Sequence, residues 1–262
     1  MQLTFPHHET WLHRVNPGLK LFVFALLFPA VIWIHNLNIM INLAAGMLLL
    51  LLWSGHPWRR LLLYASPFIL IFVSTSTGMM FFGTGETTWW RWGLVHITEE
   101  SFLRGIHLGC RALCMAVAGL LFGLTTRPVR LFYSLMQQWR LPPRYAYSFL
   151  AAMRMIPILL DEFQTLRHAL LIRGTRRHVS RWNLYAHIKM YAIPLLAQSI
   201  RRAHRTAIAM EAKGLSDEKR TYYYVIGYSQ ADIWLTLYFT GIFAAAIWTG
   251  DMFPYFDTLD VR

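Results

Sequence analysis

Cysteine and acid are the scarce residues of this chain. The two cysteines, Cys110 and Cys114, stand four apart inside an apolar run, so no disulfide framework is implied. Without further Cys or His at zinc spacing, the pair reads as buried, inert thiols. Only 13 Asp and Glu are spread along 262 residues. They form no paired-carboxylate set, no Ser/His/Asp arrangement is visible, and a GxxxxGK[ST] phosphate loop is absent. The chain is therefore expected to be neither an enzyme nor an ATP binder. Its 11 histidines are scattered, and His7-His8 reads as a surface pair, so neither metal nor cofactor is expected. No cleavable leader is apparent either. The opening 20 residues are fairly polar and no A-x-A site follows the first apolar run, which is expected to stay as an anchor.

What is present is apolar surface in long runs. Hydrophobic residues make up 56 % of the chain and charged residues 15 %, a balance that predicts an all-α polytopic membrane protein. Leu21 to Trp53 carries no formal charge and is interrupted only by His35-Asn36-Leu37-Asn38, which reads as a tight hairpin of two short helices. Leu61 to Phe82 is a third span, with Pro67 and the polar run Ser74-Thr75-Ser76-Thr77; Phe102 to Leu124 is a fourth and Ile233 to Trp248 a fifth.

Charge is distributed unevenly around these runs. Thr125 to Ala231 holds 17 Lys/Arg against 5 Asp/Glu, while the rest of the chain carries 8 of each sign. The expected division is a membrane domain over 1–124, a basic cytoplasmic helical domain over 125–231, and a last span with its tail over 232–262. If the basic block is cytoplasmic, four preceding spans place the N-terminus inside too, with Arg14, Lys20, Arg59 and Arg60 on that face. The loop Gly83 to Ser101, holding Arg91 against Glu86, Glu99 and Glu100, then lies outside with Asp251, Asp257 and Asp260 of the tail.

The fourth span carries a seam of small residues. Gly105, Gly109, Ala112, Ala116, Gly119 and Gly123 recur at spacings of 4 and 3, which puts them on one face. Such a face lets another helix approach closely in lipid, whether from the same chain or from a separate membrane subunit. Arg104 and Arg111 also share a face; Arg104 sits near the helix end, where it can snorkel, so Arg111 is the more informative intramembrane charge.

The basic block itself reads as helices. Thr125 to Arg140 is a short amphipathic helix entered at Pro128 and broken by Pro142-Pro143. A long helix follows from about Arg144 to Arg173, with a kink expected at Pro157 and Gly174 as its terminator. After the polar linker Thr175 to Trp182, a second long helix runs from about Asn183 to Lys213, with a kink expected at Pro194 and Gly214 at its end. Its apolar stripe is Leu196, Ile200, Ala203, Ala207 and Met210; Arg201, Arg202 and Arg205 are placed opposite. The alanines favour close crossing of the two helices. Both helices end alike, in Ile172-Arg173-Gly174 and Ala212-Lys213-Gly214. A cation in the last turn complements the helix dipole and glycine takes the left-handed cap, but two such ends in one arm exceed what capping alone requires.

These features make the chain resemble the transmembrane coupling subunit (T component) of energy-coupling factor transporters, modular ABC importers for vitamins and for nickel or cobalt. The similarity spans almost the whole chain. It is carried by Leu12-His13-Arg14-Val15-Asn16-Pro17-Gly18-Leu19-Lys20, Leu124-Thr125-Thr126-Arg127-Pro128, Leu141-Pro142-Pro143-Arg144, Arg154-Met155-Ile156-Pro157-Ile158-Leu159 and, most closely, Ala207-Ile208-Ala209-Met210-Glu211-Ala212-Lys213-Gly214. The family ends each coupling helix in Ala-Arg-Gly, whereas here the ends read Ile-Arg-Gly and Ala-Lys-Gly. Lys213 binds a carboxylate as a point charge, without the arginine fork.

The resemblance implies a non-catalytic bacterial inner-membrane subunit with its coupling domain in the cytoplasm. The two helix ends would dock on a pair of ABC ATPase subunits, and the spans would contact a small substrate-binding membrane subunit. No nucleic-acid partner is expected from it. The competing reading is a membrane-anchored basic scaffold that holds anionic lipid or nucleic acid; it leaves the paired helix ends unexplained.

Overall fold

The structure, a computed structural model, describes residues 10–55, 57–83, 88–92, 95–174, 184–215, 222 and 224–252. His7-His8, Glu86, the linker Thr175 to Trp182 and the tail residues Asp257 and Asp260 lie outside the described residues. In chain order the elements are α1 (Trp11–Arg14), α2 (Pro17–Trp33), α3 (Leu37–Leu52), α4 (Trp58–Phe82), β1 (Thr88–Trp92), β2 (Val95–Thr98), α5 (Glu99–Thr125), α6 (Pro128–Gln138), α7 (Pro143–Ile172), α8 (Leu184–Ala212) and α9 (Gln230–Met252). The chain is all-α in class and divides into two compact units, Met1–Leu131 with Ile226–Arg262 and Phe132–Val225.

The first unit is the membrane unit. Leu61–Phe82, Glu99–Thr125 and Gln230–Gly250 are long and apolar enough to cross a bilayer. Helices α2 and α3, of 17 and 16 residues, rise only about 25 Å each, less than the ~30 Å hydrocarbon core. The break between them is tighter than the sequence reading placed it. Asn36 caps α3 by accepting from the Asn38 amide at 3.0 Å, so Leu37 and Asn38 belong to the helix. The α4 hydroxyls are satisfied by their own helix: Thr75 Oγ1 donates to the Ile71 carbonyl at 2.8 Å and Thr77 Oγ1 to Val73 at 2.7 Å, which lets them face lipid.

Helix α5 is the centre of this unit and packs on α2, α3 and α4, while α9 covers α3, α2 and α1. Cys110 and Cys114 are buried free thiols on α5. Phe24 of α2 meets Phe239 of α9 edge-to-face at 5.4 Å, a geometry worth ~0.5–1.5 kcal/mol beyond its buried area. Arg111 caps α2: its Nη2 donates to the carbonyls of Ile34 at 2.9 Å and Ile32 at 3.4 Å, placing a cation at the negative end of the helix dipole. Helix α5 opens on a capping box, Thr98 and Ser101 satisfying each other's backbone amides. The segment before it, expected as a loop, contains an antiparallel pair of β1 with β2, in which Trp92 opposes Val95.

Lys20, expected among the loop cations, is instead 1 % exposed. Its Nζ donates to the Leu12 carbonyl at 2.7 Å, the Thr125 carbonyl at 3.3 Å and Thr125 Oγ1 at 3.0 Å. Four residues earlier, Asn16 accepts from the Gly18 amide at 3.0 Å and so caps α2, with Pro17 at the first helical position. The Asn16 amide donates to Asp232 Oδ1 at 2.6 Å, and Asp232 Oδ2 accepts from the Ser229 amide at 2.6 Å. Residues 12–20 thus tie α1, α2, α5 and α9 together.

Candidate functional site

The second unit contains most of α6 and the two long helices. Proline starts α7: Pro142 is its N-cap residue and Pro143 its first helical residue, where a missing N–H costs nothing. Both α7 and α8 are continuous through their internal prolines, Pro157 and Pro194. Phe132 of α6 stacks on Phe149 of α7 with ring centroids 3.9 Å apart. Gln137 of α6 donates to the Tyr224 carbonyl at 2.5 Å, pairing the outgoing and returning parts of the unit.

The two helix ends share one geometry. At α7 the Gly174 amide donates to the Leu171 carbonyl at 3.2 Å, and Gly174 has φ +68°. At α8 the Gly214 amide donates to Glu211 at 2.8 Å, the Leu215 amide to Met210 at 3.0 Å, and Gly214 has φ +71°. The α8 end is a complete Schellman motif, and α7 repeats its inner bond. A Cβ at either glycine would meet nothing within 4 Å. Within this chain the left-handed φ, not crowding, therefore requires glycine there. Ile172, Arg173, Ala212 and Lys213 are all exposed, Ile172 to 88 %. Neither Arg173 nor Lys213 has a side-chain partner among the described residues. Each end therefore presents an apolar side chain, a cation and a tight turn to the outside.

Between α7 and α8 lies a groove of about 400 Å³, lined by Ala151, Ala152 and Met155 on one side and Ala203, Ala207 and Met210 on the other. The α8 stripe thus only partly meets α7; Leu196 and Ile200 stand 60 % and 67 % exposed. Arg202, placed opposite the apolar stripe from sequence, shares the groove with Ala203, Ala207 and Met210 of that stripe. It forms an ion pair with Glu162 of α7. Phe163 and Tyr191 add a ring contact at 5.4 Å. The ion pair was missed because its partners are 40 residues apart; the sequence signal available was an acid on the alanine-bearing side of α7.

The α5 seam divides. A Cβ on Gly105 would lie 2.8 Å from Met80 Cγ and from the Ser76 carbonyl, and one on Gly109 would lie 2.9 Å from Phe72. That half of the seam is the packing face for α4. Gly119 and Gly123 are exposed with open space beyond them, and Ala112 and Ala116 are half-buried. The unused half is apolar surface available to another helix.

In chain order, the two long helices α7 and α8 are inserted between the apolar helices of a membrane protein. The family described as "CbiQ: Cobalt transport protein" matches residues 8–223, and the chain belongs to that family, as a transmembrane component of energy-coupling factor transporters. Among curated proteins it is similar to the "Energy-coupling factor transporter transmembrane protein EcfT" of Lacticaseibacillus paracasei, with 26 % identity over 86 % of this chain and 88 % of the relative. The proteins of the same description from Streptococcus equi subsp. equi, at 27 % over 84 % and 86 %, and Listeria innocua, at 28 % over 87 % and 90 %, are similar to the same degree.

Proposed function

We propose that this chain is the energy-coupling subunit of an importer, carrying ATP-driven movement from two cytoplasmic ABC ATPase subunits to a small substrate-binding membrane subunit. The observation that carries the reading is the pair of matching helix ends. Each offers an exposed cation on a glycine-terminated turn, suited to a charge-assisted contact with an acidic-lined groove, and two similar ends fit a pair of similar partners. Ile172, Arg173 and Gly174 form one docking element and Ala212, Lys213 and Gly214 the other. Pro157 and Pro194, which remove a backbone donor inside each helix, are places for bending. The open groove and the exposed apolar residues of α8, with the free half of the α5 seam, are the surfaces for the substrate-binding subunit.

In this division of labour the chain hydrolyses nothing itself, and substrate choice belongs to the partner. The cargo class is a vitamin, a vitamin precursor or a nickel or cobalt ion. The setting is a bacterial inner membrane, with the N-terminus and the arm in the cytoplasm, a topology that the cation distribution supports through the positive-inside rule. Exchanging Arg173 and Lys213 together for Glu tests the reading. Membrane insertion should persist while ATPase association and ATP-driven uptake are lost. Undiminished association of both ATPases would contradict it.

A further inference from the structure

We infer that the buried Lys20–Thr125 contact, together with Asn16–Asp232, is a positioning clamp through which movement of the arm enters the spans; this rests on the coupling role proposed above. The second unit is inserted into the first. The first unit runs to Leu131, shortly beyond Thr125 at the end of α5, and resumes at Ile226, shortly before Asp232 in the first turn of α9. One short segment grips the helix on each side of the insertion, α5 before it and α9 after it. Lys20 holds the departing end through the carbonyl and hydroxyl of Thr125. Asn16 holds the returning end through Asp232, with its Nδ2 3.4 Å from the Gly227 carbonyl.

The chemistry suits a clamp and excludes a ligand site. An ammonium has three donors, and Lys20 uses them on three acceptors within this unit. No donor is left over for a substrate. Thr125 Oγ1 in turn donates to the Leu121 carbonyl at 2.7 Å, so the grip reaches into the last turn of α5. Burying an ammonium is costly unless every donor is satisfied, and these bonds to a charged donor are stronger than neutral ones. A displacement of the α5 end is thereby passed to α1 and α2, not absorbed at the chain junction.

The test uses the complex in lipid vesicles, with its ATPases and with ATP as the probe. Spin labels at the exposed positions Ile156 and Ile208 report movement within the arm; labels at exposed Trp33 and Phe82 report movement among the spans. In the parent chain ATP is expected to change both distances. Lys20→Met should keep ATPase association, hydrolysis and the arm change, and lose the Trp33–Phe82 change. An unaltered Trp33–Phe82 change overturns the clamp, and so does simultaneous loss of the arm change, which would mark a merely structural role. If Lys20→Met does not accumulate in the membrane, Thr125→Val decides: it should shrink the Trp33–Phe82 change while Thr125→Ser preserves it, and equal behaviour of the two overturns the clamp. A parent complex in which ATP moves neither pair contradicts the coupling role itself, a failure distinct from that of the clamp.

Discussion

The guanidinium of Arg202 on α8 is paired with the carboxylate of Glu162 on α7, at the edge of a groove otherwise lined mainly by alanine and methionine. The alanines let the two helices come near but supply little contact of their own. The ion pair and the Phe163–Tyr191 ring contact tie this face of α8 to α7. With Glu162 14 % and Arg202 35 % exposed, breaking it falls between the surface and buried regimes.

Glu162→Gln or Arg202→Met should each cost on the order of 1–2 kcal/mol, and the double variant should cost little more than either alone. Thermal unfolding of the purified chain in detergent, arranged as a double-mutant cycle, checks this. Fully additive losses would show that the two side chains do not act together.

Gly174 serves its own helix through φ, not through lack of space. Gly174→Ala should destabilise the α7 end by roughly 1–2 kcal/mol. Gly174→Asn, a residue that accepts the left-handed conformation, should keep the turn but add bulk at the proposed docking element. Co-purification separates the effects: the Asn variant should retain the arm's thermal stability and hold the ATPases more weakly.

The α5 seam should respond differently along its length. Gly109→Leu drives a side chain into Phe72 of α4 and should cost roughly 1–3 kcal/mol by overpacking. Gly123→Leu enters open space and should leave the thermal midpoint unchanged. Equal destabilisation by both, in the same detergent, would contradict the division of the seam.

Sequence pattern located the helices well, because local chemistry marks their limits. Gly174 and Gly214 announced the ends of α7 and α8, Pro128 the start of α6, Pro142-Pro143 the break before α7, and the polar break near His35 the hairpin of α2 and α3. What pattern could not show were partners far apart along the chain. Lys20 looked like one more loop cation because Thr125, which satisfies it, lies 105 residues away. Arg202 was placed opposite the apolar stripe because Glu162, its partner, is on another helix, and Arg111 gave no sign that it caps α2. The β1–β2 pair had a local signal, the β-favouring run Thr88-Trp89-Trp90-Arg91-Trp92, but it was masked by reading the stretch as a loop between spans. In the candidate site, the helix ends were legible and the groove's ionic edge was not.

Site-specific photo-crosslinking from Ile172 and Ala212 in intact membranes tests the central claim most directly. With a photoreactive residue at either position, illumination should trap an ATP-hydrolysing subunit, one at each helix end, and charge reversal at Arg173 or Lys213 should abolish capture at the matching end. Crosslinks from both ends to lipid alone, or capture that charge reversal does not alter, would contradict the account.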